Sequence, residues 1–343
     1  MVGILARLST QVRLAAALLA LAFMIAMASP VSAQQPTSVD PNAAVVPEQQ
    51  MLKELNKIQG LGTIPDKKSY VLEHPAGREW REFRTVTLKW IGGIAIIGMV
   101  LVLAIFYLWR GPMRVKAGYS GVKILRFDVI ERFTHWLTAS TFIVLGITGL
   151  NISFGRSLLL PILGLQAFST WSEAAKYTHN YLSFAFTIGV VVMFLMWLGR
   201  NFPTAADVTW VKQAGGMFDK DDGTHPPAYK FNAGQKMLFW LIMMASAAMI
   251  VTGFMLLFPF YYGLNIGDME LAEVFHGVVG MLFVSLVVAH IYLGTLGMEG
   301  AFEAMSQGTV DVNWAKEHHN LWYAEEVQGG AKGRAKQAMH PAE

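Results

Sequence analysis

The sequence predicts an all-α integral membrane protein. Three observations carry the prediction. Of 343 residues, 54% are hydrophobic and 15% charged, against the roughly 25% charge of a soluble domain. Five apolar stretches follow residue 85, at roughly 86–109, 131–154, 175–199, 235–259 and 273–296. Each is near the ~20 residues that a spanning helix needs. The loops between them alternate between rich and poor in Lys and Arg. Net charge is +3, too small to suggest a nucleic-acid partner.

Residues 1–33 read as a signal peptide. Arg7 and Arg13 precede the apolar run "LAAALLALAFMIAMA", and "VSA" ends at Ala33 in the manner of a small-residue cleavage site. An uncleaved first anchor is the other reading; the shortness of the run favours cleavage. Residues 34–85 are polar and contain a short helix around "EQQMLKELNKI". No internal repeat is evident in the pattern of apolar runs. There is no cysteine, so this chain holds no disulfide, no Cys-ligated iron–sulfur cluster and no covalent c-type haem.

Basic residues set the expected orientation. Arg110, Arg114, Lys116, Lys123, Arg126 and Arg132 fill the first loop, and Arg200, Lys212, Lys220 and Lys230 the third. The tail adds Lys316, Lys332, Arg334 and Lys336. By contrast, 155–174 has Arg156 alone, and 260–272 has no Lys or Arg. The first and third loops and the C-terminal tail are therefore expected in the cytoplasm. The segment before the first span is then periplasmic, as the signal peptide also implies.

Ionisable residues inside a membrane are costly and mark function by default. Of nine histidines, His74, His225, His318, His319 and His340 lie outside the apolar runs and read as solvated surface. The other four are His135, His179, His276 and His290. His276 and His290 share one helix, and 14 residues of helix rise about 21 Å and return to nearly the same face. Depth then pairs His179 with His276 at the outer level and His135 with His290 at the inner level. Two imidazoles at each level suit two b haems, each held between facing helices. The expected fold is therefore a four-helix di-haem bundle plus one additional N-terminal transmembrane helix, which bears no histidine. Gly277 and Gly280 adjoin His276, and Gly146 and Gly149 lie at the outer level of the His135 helix. They offer bare helix surface to a flat macrocycle, or only close helix packing. Zinc without haem wants its ligands close together, and these are split by about 21 Å. A proton relay lacks an accompanying intramembrane Asp or Glu. A haem-free scaffold or transporter is opposed by the matched depths and by the absence of an inverted repeat.

The stretches "FDVIERFTHW", "YTHNYLSFAFTIGVVVMFLMWLGRNFP", "KFNAGQKMLFW", "VFHGVVGMLFVSLVVAHIY" and "VNWAKEHHNLWY" resemble the gamma subunit of membrane-bound formate dehydrogenase. That family is a di-haem, quinone-reducing cytochrome b. The resemblance covers about residues 125–325. "NAGQKMLFW" and "WAKEHHNLWY" are its most specific parts, since the four histidines are shared with the cytochrome b subunits of nickel–iron hydrogenases and other periplasmic oxidoreductases, the alternative reading.

The resemblance implies an electron-transfer and anchor subunit without a formate-oxidising or other catalytic site of its own. Its partners would be an iron–sulfur beta subunit and a molybdenum or tungsten alpha subunit, with membrane lipid around it. Electrons would leave to menaquinone or ubiquinone near the inner haem, beside Asn232 and Gln235 at the start of the fourth span. A helix N-cap suits Asn232 equally. Arg132 and Arg200 suit haem propionates or lipid phosphates, though the positive-inside bias already accounts for them. Tyr292 and Trp136 flank candidate ligands as interfacial aromatics do. The expected organisation is a signal peptide at 1–33, a periplasmic segment at 34–85, an extra transmembrane helix at 86–109, the bundle at 110–300 and a cytoplasmic tail at 301–343. The expected location is the bacterial inner membrane.

Overall fold

The computed structural model describes residues 77–218, 225–259, 261–326 and 329. The expected signal peptide, most of the segment 34–85 with its short helix, and the end of the tail lie outside the described residues.

Among the described residues, five helices are long and apolar enough to cross a membrane. They are α1 Gly77–Arg110, α2 Val129–Leu158, α3 Leu160–Arg200, α5 Ala233–Leu257 and α6 Ile266–Tyr292. The short α4 Ala205–Lys212 lies between α3 and α5. After α6 come α7 Ala301–Ser306 and α8 Val312–His318.

Local chemistry fixes the helix ends. α1 passes through a π-turn at Phe83–Thr87 and stops where Gly111 adopts a positive φ of 70°, followed by Pro112. Capping boxes open α2, α5 and α6. Asp128 accepts from the Glu131 N–H at 2.8 Å while Glu131 accepts from the Asp128 N–H at 2.9 Å. Asn232 with Gln235 and Asn265 with Asp268 repeat the device. Each box satisfies two backbone donors that the first helical turn leaves open.

The expected loop 155–174 is mostly helix. α2 continues to Leu158, and α3 begins at Leu160 with Pro161 in its first turn. Gly164 then kinks the chain at φ 75°. Its Pro and Gly mark that kink, but "QAFSTWSEAAK" contains good helix formers and carries α3 onward. Past the kink, the straight part of α3 from Leu165 to Trp197 spans about 50 Å, longer than the ~30 Å of a hydrocarbon core.

α2 packs on α3 and α5 on α6, giving four helices around one interior. α1 lies outside them against α6, as expected for the span without histidine. A Cβ on Gly277 would stand 2.8 Å from Leu88 Cδ2, and one on Gly92 2.7 Å from Met281 Sδ. Ser285 Oγ donates to the Ala95 carbonyl at 2.8 Å. Arg84 reaches Glu273 at 3.0 Å, and Lys89 donates to Ser157 Oγ at 2.8 Å. The other face of α1 exposes Trp90, Ile94, Ile97, Leu101, Ile105 and Leu108, as a lipid-facing helix should.

The end where α2 and α5 begin is capped by the tail. Strand β1 Lys123–Leu125 pairs antiparallel with β2 Thr309–Asp311, and Met113 bridges to Met298. The tail expected at 301–343 thus starts as part of the folded unit. A continuous apolar core runs from Phe186, Phe239 and Phe283 inside the bundle to Phe127, Val310, Trp314 and Trp322 in the cap. The capped end is the tail end, and the α2–α3 turn marks the far end.

Gly189 of α3 faces Thr138 of α2 so closely that an added Cβ would collide with Thr138 Oγ1. Gly189→Ala should cost about 1–3 kcal/mol through overpacking. Gly199→Ala, with open space around it, should be nearly neutral. Thermal midpoints of the detergent-solubilised chain, compared side by side, check both.

Candidate functional site

The four histidines of the spans meet in two pairs. His135 of α2 faces His290 of α6, with ring centres 6.1 Å apart and planes at 66°. His179 of α3 faces His276 of α6 at 6.3 Å and 68°. The first pair lies toward the tail end and the second toward the far end, about 21 Å apart along α6.

The far-end pair is held by a duplicated device. Thr148 Oγ1 of α2 lies 2.8 Å from His179 Nδ1, and Thr252 Oγ1 of α5 lies 2.9 Å from His276 Nδ1. Each threonine donates its own proton to a carbonyl one turn back, Thr148 to Val144 and Thr252 to Ala248. With that proton committed, each hydroxyl oxygen accepts, so each imidazole donates from Nδ1. The tautomer is thereby set, and Nε2 of both rings keeps its lone pair. A glycine follows each threonine, and a Cβ on Gly149 or Gly253 would stand 3.4 or 3.3 Å from the adjacent ring.

These matches reveal an internal repeat that the run pattern hides. At one constant spacing, Phe127, Asp128, Glu131, Trp136, Thr148 and Gly149 of the first hairpin correspond to Phe231, Asn232, Gln235, Trp240, Thr252 and Gly253 of the second. In α3 and α6, His179 and Phe186 correspond to His276 and Phe283. The two hairpins run the same way, unlike an inverted repeat. The far-end pair joins equivalent residues. The tail-end pair does not, since the counterparts of His135 and His290 are Phe239 and Met193, both in the apolar core. Among the described residues no threonine supports that pair, and His135 Nδ1 is buried without a hydrogen-bond partner.

Of the glycines singled out in the sequence, Gly149 alone faces a histidine ring. Gly277 meets Leu88, Gly280 meets Met249 and Gly146 meets Val284, which is helix packing. Asn232 and Gln235 sit at the start of α5 and cap one another, with Asn232 Oδ1 accepting from the Gln235 N–H at 2.9 Å. Gln235 Oε1 accepts from the Asn232 N–H at 3.1 Å. Among the described residues no hydrogen bond joins either to a histidine pair. Arg132 donates to the carbonyls of Met305 and Ser306, closing the end of α7.

The tail end also holds a buried charge network that the sequence reading missed. Glu131, one helical turn before His135, is 4% exposed. It accepts from Lys230 Nζ at 2.7 Å and Trp197 Nε1 at 3.0 Å. Burial pushes the Lys230 ammonium below its usual range, while Glu131 holds it up. Arg126, 3% exposed, donates to the Lys230 carbonyl at 2.7 Å and lies against Trp314 and Trp322. His318 and His319, read from sequence as solvated, are 5% and 1% exposed. His319 Nδ1 donates to the Tyr229 carbonyl at 2.6 Å, and its Nε2 faces Arg126 at 3.0 Å. Burial keeps this ring neutral well below the ordinary histidine range. A window on local polarity places both on the surface, because the tertiary fold that buries them is not in the window. The signal that could have found them is the density of Trp and Tyr in "WAKEHHNLWY".

Opposed imidazole pairs between spanning helices are the binding chemistry of a membrane cytochrome b. A metal bonded to both rings through nitrogen at about 2 Å sets their centres about 6 Å apart, and both observed pairs fit. Residues 126–308 match the family described as prokaryotic cytochrome b561, and the chain belongs to that family. Membership implies haem b. The chain is also similar to the nitrate-inducible formate dehydrogenase cytochrome b556(Fdn) subunit of Escherichia coli. The identity is 26% over 219 residues, covering 63% of this chain and 97% of the relative. The formate dehydrogenase cytochrome b556 subunit of Haemophilus influenzae is 26% identical over 61% of this chain and 85% of its own length. The cytochrome b556(fdo) subunit of Escherichia coli is 26% identical over 59% and 92%.

Removing one partner of the buried Lys230–Glu131 pair strands the other. Glu131→Gln should cost about 3–5 kcal/mol. The double variant Glu131→Gln, Lys230→Met should recover part of that loss. A double-mutant cycle of unfolding midpoints measures the coupling.

Proposed function

We propose that this chain is the membrane anchor and electron-transfer subunit of a formate dehydrogenase. It would link a periplasmic iron–sulfur subunit to a quinone near the cytoplasmic face. The observation that carries this reading is the pair of opposed imidazole couples at two depths. His179 and His276 hold one b haem at the far end, and His135 and His290 hold a second at the tail end. When bound, the two haems supply one-electron carriers at two depths of a hydrocarbon core about 30 Å thick.

The chain's own residues fit that task. Thr148 and Thr252 orient the far-end rings and hold the proton on Nδ1, so Nε2 faces the cofactor. Gly149 and Gly253 keep helix surface bare beside those rings. Asn232 and Gln235 contribute to the quinone site: their side-chain oxygens are engaged in capping, and their amide N–H groups remain to meet a carbonyl acceptor. Excess Lys and Arg at the tail end supports placing that end in the cytoplasm of a bacterial inner membrane. Formate oxidation then belongs to a molybdenum or tungsten partner subunit. With no cysteine, this chain depends on that partner's iron–sulfur relay. The names of the similar proteins favour formate dehydrogenase over hydrogenase.

A pyridine haemochrome assay on the purified full-length chain should count two b haems per chain, and His290→Ala should retain one. Two haems in that variant would overturn the pairing. In the assembled complex formate should reduce both haems; reduction by hydrogen instead would assign the chain to a hydrogenase.

Thr148→Val and Thr252→Val each remove the acceptor of a ligand's Nδ1 proton. That makes the imidazole a poorer donor and disfavours the ferric state. The far-end potential should rise by about 20–60 mV, the equivalent of one net hydrogen bond, and the tail-end potential should stay. An optical redox titration of the complex resolves the two.

A further inference from the structure

The tail-end cap holds a second cluster of ligand-type side chains, separate from the imidazole pairs of the spans. His225 precedes α5, while Glu317 and His318 are the last residues of α8. Each offers one ligand atom, and the three atoms lie within 4.8 Å of one another. His225 Nε2 is 3.0 Å from Glu317 Oε1. These two side chains are 14% and 10% exposed, so both are largely withdrawn from solvent. His318 is more deeply buried, and among the described residues its Nε2 has no hydrogen-bond partner. The rings of His225 and His318 are 4.5 Å apart at 68°. The Lys116 N–H donates to Glu317 Oε2 at 3.0 Å, which fixes the carboxylate and leaves Oε1 toward the imidazoles.

An ion pair does not account for all three groups. The His225–Glu317 contact uses neither nitrogen of His318, and His318 Nε2 is buried beside them without a partner among the described residues. Buried polar atoms without partners are rare, and each calls for a cause such as a bound ion. One cation shared by the three side chains would satisfy the whole cluster.

We propose that His225, Glu317 and His318 bind one divalent transition-metal ion of the zinc class, with water at the fourth position. Two imidazoles and one carboxylate are the donor set of such ions, whereas calcium and magnesium take oxygen donors. Bonds of about 2.0–2.2 Å require the ligand atoms to close to about 3.5 Å of one another. Small side-chain rotations achieve that from the separations seen. The bound ion ties the segment leading into α5 to the C-terminal α8. Asn320 already accepts from the Ala228 N–H at 3.2 Å nearby, so the metal reinforces an existing junction. The site is independent of the haem reading.

The test uses the full-length chain purified in detergent without a polyhistidine tag. After stripping with a chelator, it is titrated with zinc against a chromophoric competitor. Wild type should bind one zinc per chain, and zinc-edge X-ray absorption should show nitrogen and oxygen neighbours including two imidazoles. His318→Gln and His225→Gln should each weaken binding by more than the roughly 10- to 100-fold that an outer-shell loss costs. Haem content per chain reports folding independently. His225→Gln, on a loop, keeps the test decisive if His318→Gln misfolds. Zinc binding no tighter in wild type than in His225→Gln, with haem content equal, would overturn the site.

Discussion

An imidazole inside a lipid-spanning bundle has no water to satisfy its nitrogens, and the architecture follows from that constraint. A ring nitrogen left bare in hydrocarbon costs free energy of the order of a lost hydrogen bond or more. At the far end the cost is met from the helices themselves. Thr148 and Thr252 each pass a proton back to their own helix and accept one from a facing histidine. One hydroxyl does two jobs: it satisfies a backbone carbonyl and fixes a tautomer. The helices must approach closely for this, and glycines at 149 and 253 permit it. What remains, Nε2 on each of two opposed rings, is the binding chemistry of the site.

The tail end solves a different problem. There the bundle meets charged loops, and Arg126, Glu131 and Lys230 are all nearly buried. They persist because each is paired or spread over aromatic rings: Lys230 on Glu131, Arg126 on the Lys230 carbonyl and against Trp314 and Trp322. Glu131 ties this network to the bundle, since it also closes the capping box of α2 one turn from His135. The C-terminal segment therefore does more than trail from the last span. It supplies Trp314, His319 and Trp322, which seal the end of the bundle nearest the His135–His290 pair.

How far the sequence was readable depends on the range of the information. Five spans and the two histidine levels follow from composition and from the 14-residue spacing of His276 and His290, because helix geometry converts spacing directly into depth. The N-cap reading of Asn232 was equally local, and the capping box bears it out. The buried state of His318 and His319 was not local. His319 is held by Tyr229 and Arg126, about 90 to 190 positions away. The helical stretch at 155–174 was hidden by Pro161 and Gly164, which mark a kink as readily as a loop. The repeat is hidden because few identities mark it and the connection between helices differs in length in the two hairpins.

That repeat explains why the two imidazole pairs differ. In a bundle of two like hairpins running the same way, equivalent residues face one another across a common axis. His179 and His276 are equivalents, so the same threonine device serves both rings. His135 and His290 break the pattern, with Phe239 and Met193 at their counterpart positions. Symmetry therefore gives the far-end rings matched hydrogen bonds and leaves the tail-end rings with none from threonine. A ligand whose Nδ1 proton is held by an acceptor is the stronger donor and favours the more positive metal. On the proposed reading, a haem held by His179 and His276 would favour the oxidised state through these hydrogen bonds, and transfer from far end to tail end would gain by it. Two sites built from one residue type thus differ in their neighbours: threonine acceptors stand at 148 and 252, and among the described residues His135 Nδ1 has no partner.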